Sequence, residues 1–268
     1  LVNKKKKEKQ REIETLETEY RTIVQDAKKV KELDILFERK TKEDEQLSFL
    51  ETYIETQIEK VKMVLQENLF IEPNMGTGLS IMGRVASKMS EVHPLVWSEC
   101  IIRKWDYFAG FSIKQIVGIL SCITDIKVPE QYRRYVGSSF LQEKDIFLQN
   151  RLTELQEEYA KYEKIEEDRE LRTGMKYTDV LSFDIVEEAM KWCDCESEEE
   201  CKVFISCELS KKEIGLGDFT KAMLKIATVA REWSVIPEIA ENISLVHKLI
   251  QMDTRVLKYI ATNQSLYV

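Results

Sequence analysis

Turn-forming residues are scarce in this chain of 268 residues, which holds nine glycines and four prolines. A β-rich protein of this length needs more of both at its reversals, so the shortage argues for an all-α chain. No apolar run approaches the roughly 20 residues that span a bilayer. The first ten residues are charged and lack the apolar centre of a signal peptide, and a first residue of Leu rather than Met suggests a fragment of something longer. Histidine is limited to His93 and His247, each standing alone. The glycines spell neither G-x-G-x-x-G nor G-x4-G-K-[ST], so the cradling of a nucleotide phosphate has no support. Carboxylates are plentiful but lie in solvated runs, with no legible convergence into a catalytic pocket.

What is present is a soluble composition: 43% hydrophobic and 33% charged residues, with both signs mixed. The formal net charge of -8 gives no support for general nucleic-acid affinity, although a local basic face could still bind. Four of six cysteines cluster at Cys193, Cys195, Cys201 and Cys207. That spacing, C-x-C-x5-C-x5-C, is not the C-x2-4-C pairing of structural zinc sites. The plainer reading is free thiols packed as small hydrophobes, in a reducing interior, cytoplasm or nucleus.

Taken in order, the chain opens on a basic run, Lys4 to Lys7 with Lys9 and Arg11, followed closely by acids. A solvated helix face accounts for it. Ile13, Leu16, Tyr20, Ile23, Ala27 and Val30 recur at spacings of three and four, as do Leu47, Leu50, Ile54, Ile58, Val61 and Leu65. These are two coiled-coil seams. The charged stretch 38–44 between them predicts a break, and hence a helical hairpin over 1–68. Pro73, Gly76, Gly78 and Gly83 interrupt the rhythm and suggest a short β-hairpin near 69–83.

A helix over 85–92, ended by Pro94, is then expected. Trp97, Cys100, Ile101, Trp105 and Phe108 fall on one stripe, read as core rather than as a stacking platform. Ser112 with Gln115 spells a capping box, as does Ser197 with Glu200. A long helix from about Gly137 carries Leu148, Leu152, Leu155, Tyr159 and Tyr162 inward. Ser182 is the expected cap of a helix over 183–193. Asp218 is the expected N-cap of an amphipathic helix over 217–233, whose stripe is Phe219, Ala222, Met223, Ile226, Ala227, Ala230 and Trp233. Pro237 suits the first turn of a last helix apolar enough to be buried throughout. His247, which interrupts it, is expected as a core or boundary residue.

Lys221 and Lys225 lie four apart on the other face of the 217–233 helix. From pattern alone, two solvated lysines is the plainer reading. The functional alternative is a helix laid along a nucleic-acid backbone.

The ordered motifs MGRVASKM (82–89), FSIKQIVGILSCITD (111–125), MKWCDC (190–195), GDFTKAMLKI (217–226) and the terminal SLYV (265–268) resemble the C-terminal region of exosome-associated DExH-box RNA helicases of the Ski and Mtr type. The second half, from about residue 177, is similar to the domain called DSHCT. The resemblance covers about residues 47–268. It implies a helical bundle set against two RecA-like motor domains, enclosing a channel for single-stranded RNA moved 3′ to 5′ by ATP hydrolysis.

It also implies that Lys225, with Lys221, presents charge to that RNA, and that Asp125 stands near an acidic position of the channel wall. The family often carries Arg at the two lysine positions, and Arg grips phosphate differently. ATP and magnesium would bind the motor, whose phosphate loop and DExH box are not in this sequence, so the chain is not an ATPase alone. The N-terminal seam stands where the family carries the stalk of an arch, as its remnant or a replacement.

The expectation is therefore an all-α chain in three parts. These are a coiled-coil-like hairpin (1–68), a bundle opened by a short hairpin (69–176) and a DSHCT-like helical domain (177–268). No cofactor is expected in the chain itself. Its partners would be RNA, the motor domains and, through the N-terminal hairpin, RNA-decay proteins. The rival expectation is a coiled-coil and helical interaction scaffold with no RNA contact.

Overall fold

The computed structural model describes residues 2–72, 78–135, 145–177 and 179–259. Among them the fold is all-α, as the shortage of turn-formers implies. The chain divides into two units, Leu1–Glu59 and Lys60–Val268. No helix among the described residues is long and apolar enough to cross a membrane.

The first unit holds α1 (Val2–Glu19) and most of α2 (Ile23–Glu67). Here the expected hairpin is corrected. Residues 38–44 form no break, and α2 runs through them as one helix of 45 residues. The reason is that loss of an apolar seam is not a helix stop. The stretch ERKTKED holds no Gly or Pro, most of its residues are good helix formers, and Arg39 pairs with Glu43 one turn on at 2.9 Å. The turn comes instead at residues 20–22. The seam side chains of this unit stand in solvent, with Leu16 52% and Leu47 57% exposed.

The second unit holds the core. The expected β-hairpin is reduced to one antiparallel bridge, Ile71 to Leu79, with no strand among the described residues; Pro73 and Gly76 lie outside them. Ser80 then caps α3 (Ile81–Ala86) by accepting from the Gly83 N–H at 3.1 Å. That helix ends where one over 85–92 was expected to begin, and residues 87–93 are a non-helical turn and bend. His93 caps α4 (Pro94–Glu99), whose end widens into a π turn (Cys100–Lys104) and a 3-10 turn (Asp106–Phe108). The aromatic stripe is core: Trp97, Cys100, Ile101, Trp105 and Phe108 are all buried.

Helix α5 (Ile113–Ser121), opened by the Ser112–Gln115 capping box, is deeply enclosed. Ile116 through Ser121 are all buried, and α6, α7, α9 and α11 pack around them. Gly118 lets α7 approach, since a Cβ there would meet Met190 at 3.0 Å. The long helix α6 (Ile146–Asp168) is capped by Asp145, whose Oδ1 accepts from Leu148 N at 2.9 Å. Its expected start at Gly137 lies outside the described residues.

Ser182 is not the cap of α7 (Val186–Asp194). Its N–H donates to the Cys122 carbonyl at 2.8 Å, which keeps the chain non-helical as far as Ile185. Ser197 does cap α8 (Glu198–Phe204), but Glu200 reaches back to the N–H of Glu196 rather than of Ser197.

A π turn (Ile205–Leu209) leads to α9 (Leu216–Glu232), then a 3-10 turn (Trp233–Val235), α10 (Ile236–Ala240) and α11 (Ile243–Val256). Pro237 does sit in the first turn of a helix, but that helix is short. Glu241 adopts a left-handed conformation and Asn242 caps a new helix. The last segment is therefore two helices, and α11 buries one face only: Leu245, Leu249, Met252 and Val256 are inside, while Ile243, His247 and Ile250 are exposed.

Candidate nucleic-acid interface

Helix α9 carries the candidate site. Gly215 stands at its N-cap position, two residues before the glycine expected to open it, so Asp218 lies within the first turn rather than capping it. A carboxylate there still suits the positive end of the helix dipole. The stripe of Phe219, Ala222, Met223, Ile226, Ala227, Ala230 and Trp233 is buried. Trp233 meets Trp97 with ring centroids 5.4 Å apart, which ties the end of α9 to α4. The inward face thus fixes which residues face out: Asp218, Lys221, Lys225, Thr228 and Glu232.

These polar side chains are not equivalent. Lys221 is 68% exposed and loosely paired with Asp218 at 3.4 Å. Lys225 is only 35% exposed, and its ammonium is paired with the Glu91 carboxylate from the turn before α4. One helical turn beyond Thr228, Glu232 accepts from the backbone N–H of Ser90 at 2.7 Å and of Glu91 at 3.3 Å, and from the Ser90 hydroxyl. Met89 and Val92 are buried on either side of this turn. The α9 face is therefore a clasp on residues 90–91. On it Lys221 and Lys225 stand with Asp218 and Glu232, and with Glu91 of the clasped turn.

The structure brings Lys221 and Lys225 onto one face, as the spacing implies. Asp125 is not among them. It is exposed on the loop after α5 and lines a separate cleft of about 910 Å³, bounded by residues 124–128, 133–135, part of α6 and the segment before α7. No residue of α9 lines that cleft among the described residues. Lys127 and Arg133 are exposed there, and Arg134 is committed to Glu187 and, through its backbone N–H, to Asp184.

Glu91 and Ser90 are neighbours of this face that pattern reading misses, because they lie 134 and 142 residues from their partners. Two exposed cations were also overlooked, Arg84 on α3 and Lys88 on the turn that carries Glu91. The only signal in the sequence was their place in the motif MGRVASKM. The expected terminal motif, 265–268, lies outside the described residues. Its neighbour Tyr259 packs against the core and donates to the Glu196 carbonyl at 2.8 Å.

Five of the six cysteines are buried and Cys207 is exposed, all as free thiols. Among the described residues, no three His, Cys, Asp or Glu side chains are grouped so that they could hold a metal ion.

A family model described as the DSHCT (NUC185) domain matches residues 77–263. The match takes in every helix from α3 to α11, including the α9 face and the turn that it clasps. No curated protein matches the chain.

Proposed function

The chain belongs to the DSHCT family, a C-terminal domain of Ski2-like RNA helicases, and on that premise we propose that it forms part of the wall of a single-stranded RNA channel and braces RecA-like motor domains for 3′-to-5′ unwinding. In this reading ATP and magnesium belong to the motor, and the chain contributes surface rather than catalysis. The work would be RNA processing or decay inside the cell.

The observation that supports it is the outward face of α9. Its buried stripe leaves Lys221 and Lys225 pointing away from the core, four residues apart. That is the arrangement by which a helix follows a phosphate backbone. Lys221 is the more accessible of the two. Asp125, on its own cleft, belongs to a second stretch of wall in this reading.

The test joins the chain to its motor and measures single-stranded RNA binding, its salt dependence and unwinding, for wild type and for Lys221→Glu/Lys225→Glu. Weaker binding with a shallower salt slope is expected. Unchanged affinity, slope and unwinding would remove the channel role.

A second reading is favoured by one observation, the exposed seam of the first unit. Apolar side chains exposed along α2 fit a protein partner rather than RNA. In that case, removal of residues 1–44 abolishes partner capture and spares RNA-stimulated ATPase.

A further inference from the structure

If the α9 face contacts RNA, the structure says what a phosphate would meet there. Lys225 is not a waiting cation. Its ammonium already holds Glu91, and Glu91 is held in turn, because Glu232 takes the backbone N–H groups of Ser90 and Glu91 while Met89 and Val92 anchor the turn on both sides. A carboxylate resembles a phosphodiester in the features that matter to a lysine: one negative charge and two acceptor oxygens on one centre.

We propose that Glu91 is an internal competitor for the phosphate site at Lys225, so that RNA binds there only by exchanging one ion pair for another. The proposal rests on the reading of α9 as an RNA-facing helix and adds its regulation.

The consequence is electrostatic. A lysine already neutralised contributes little to the salt dependence of RNA binding, whereas a free lysine contributes about 0.7 to the slope on a single strand. An ion pair that keeps about a third of each side chain in solvent is still weak, equivalent to about a 2- to 5-fold change in an equilibrium constant. It therefore lowers the grip on each phosphate without closing the site. A surface along which a strand must slide benefits from such a weak and replaceable contact. Glu232 is not interchangeable with Glu91 in this scheme, because its oxygens are engaged by backbone donors and the Ser90 hydroxyl.

The experiment measures binding of a fluorescein-labelled oligouridine by anisotropy over a series of salt concentrations. It compares the full chain with Glu91→Gln, Lys225→Gln, the double variant of these two and Lys221→Gln, each checked for an unchanged melting transition. Glu91→Gln is expected to tighten binding about 2- to 5-fold and to steepen the salt slope by about 0.7. The double variant should lose both gains. A tightening that persists in the double variant overturns the proposal, since it would then reflect bulk charge. If Glu91→Gln leaves affinity unchanged or weakens it while Lys225→Gln weakens it, the competitor is wrong and the RNA face stands. If Lys221→Gln and Lys225→Gln are both without effect, the RNA face itself fails.

Discussion

Gly83 sits so close to Phe70 that a Cβ on the glycine would lie 2.1 Å from the Phe70 carbonyl oxygen. That oxygen also accepts the Ser80 N–H at 3.0 Å, so it cannot move aside without losing a hydrogen bond. Two effects oppose one another in Gly83→Ala. Ala is worth up to about 1 kcal/mol over Gly in a helix interior, while overpacking against rigid backbone costs about 1 to 3 kcal/mol. The obstacle here is backbone rather than a flexible side chain, so the second effect wins. The variant should lose about 2 kcal/mol in urea unfolding. Gly217→Ala, within α9 and with no atom within 4 Å of its Cβ, is the control and should be neutral or slightly stabilising.

Glu99 is a buried carboxylate with three donors. Tyr162 reaches it at 2.6 Å, Lys161 at 2.9 Å and Arg103 at 3.3 Å. Burial alone would raise its carboxyl, but these partners outweigh that and hold it below the ordinary carboxylate range. The network joins α4, the π turn and α6. Breaking a buried pair by removing one partner typically costs about 3 to 5 kcal/mol. Lys161 and Arg103 are each more than a third exposed, which moves Glu99→Gln to about 2 kcal/mol. Because the folded carboxyl is depressed, its contribution is present above the unfolded value and is lost as pH falls into the acid range. The stability gap between wild type and Glu99→Gln, followed by denaturant titration, should narrow below about pH 4.

His93 titrates in a different window. Its Nδ1 accepts from the Val96 N–H at 3.3 Å, which leaves Nε2 protonated and donating to the Tyr177 hydroxyl at 2.9 Å; Tyr177 then donates to Glu166 at 2.8 Å. Desolvation by burial lowers the imidazole to about 4. The folded state thus resists a proton that the unfolded chain accepts near 6.5. Stability from this residue is complete above that unfolded value and falls as pH drops from 6.5 towards 4. The loss is on the order of 3 kcal/mol over the whole window. His93→Asn keeps a capping acceptor and removes the titration. The wild type minus variant difference in unfolding free energy should slope upward with pH between about 4.5 and 6.5. A flat difference would mean that the imidazole is protonated in place.

How much of this was legible in the sequence depends on which link is asked about. Local chemistry carried the all-α class, the Ser112–Gln115 capping box and the inward stripe of α9, because periodicity and caps act within one or two turns. Boundaries were less secure. The helix over 85–92 fails because Met89 and Val92 are buried as anchors of a turn rather than as a helical stripe, and the cap of α9 falls three residues early because Gly215 serves where Asp218 was expected. The candidate site was legible only in part. Lys221 and Lys225 follow from spacing, but the carboxylate that changes the meaning of Lys225 comes from a turn 134 residues away. No local pattern encodes that pairing.

The cysteines offer the last test, since they separate a packed core from an accessible cluster. Thiolate, not thiol, is the attacking species, so both burial and ionisation limit reaction. Burial drives the Cys100 and Cys122 thiols far above their ordinary range, pushes Cys193 up to about 12 and Cys201 to about 11, and raises Cys195 as well. Cys207, at the π turn after α8, is the one exposed thiol of the six. A disulfide exchange reagent at about pH 8 should therefore titrate a single fast equivalent in the native protein, with the other five released only in denaturant. Cys207→Ser should abolish the fast phase and leave the melting transition unchanged, because the residue is exposed and outside the core. Cys195, at 9% exposure, is the next most accessible. Two fast equivalents in the wild type, one surviving in Cys207→Ser, would place Cys195 in solvent and contradict the packing of α7 against α8.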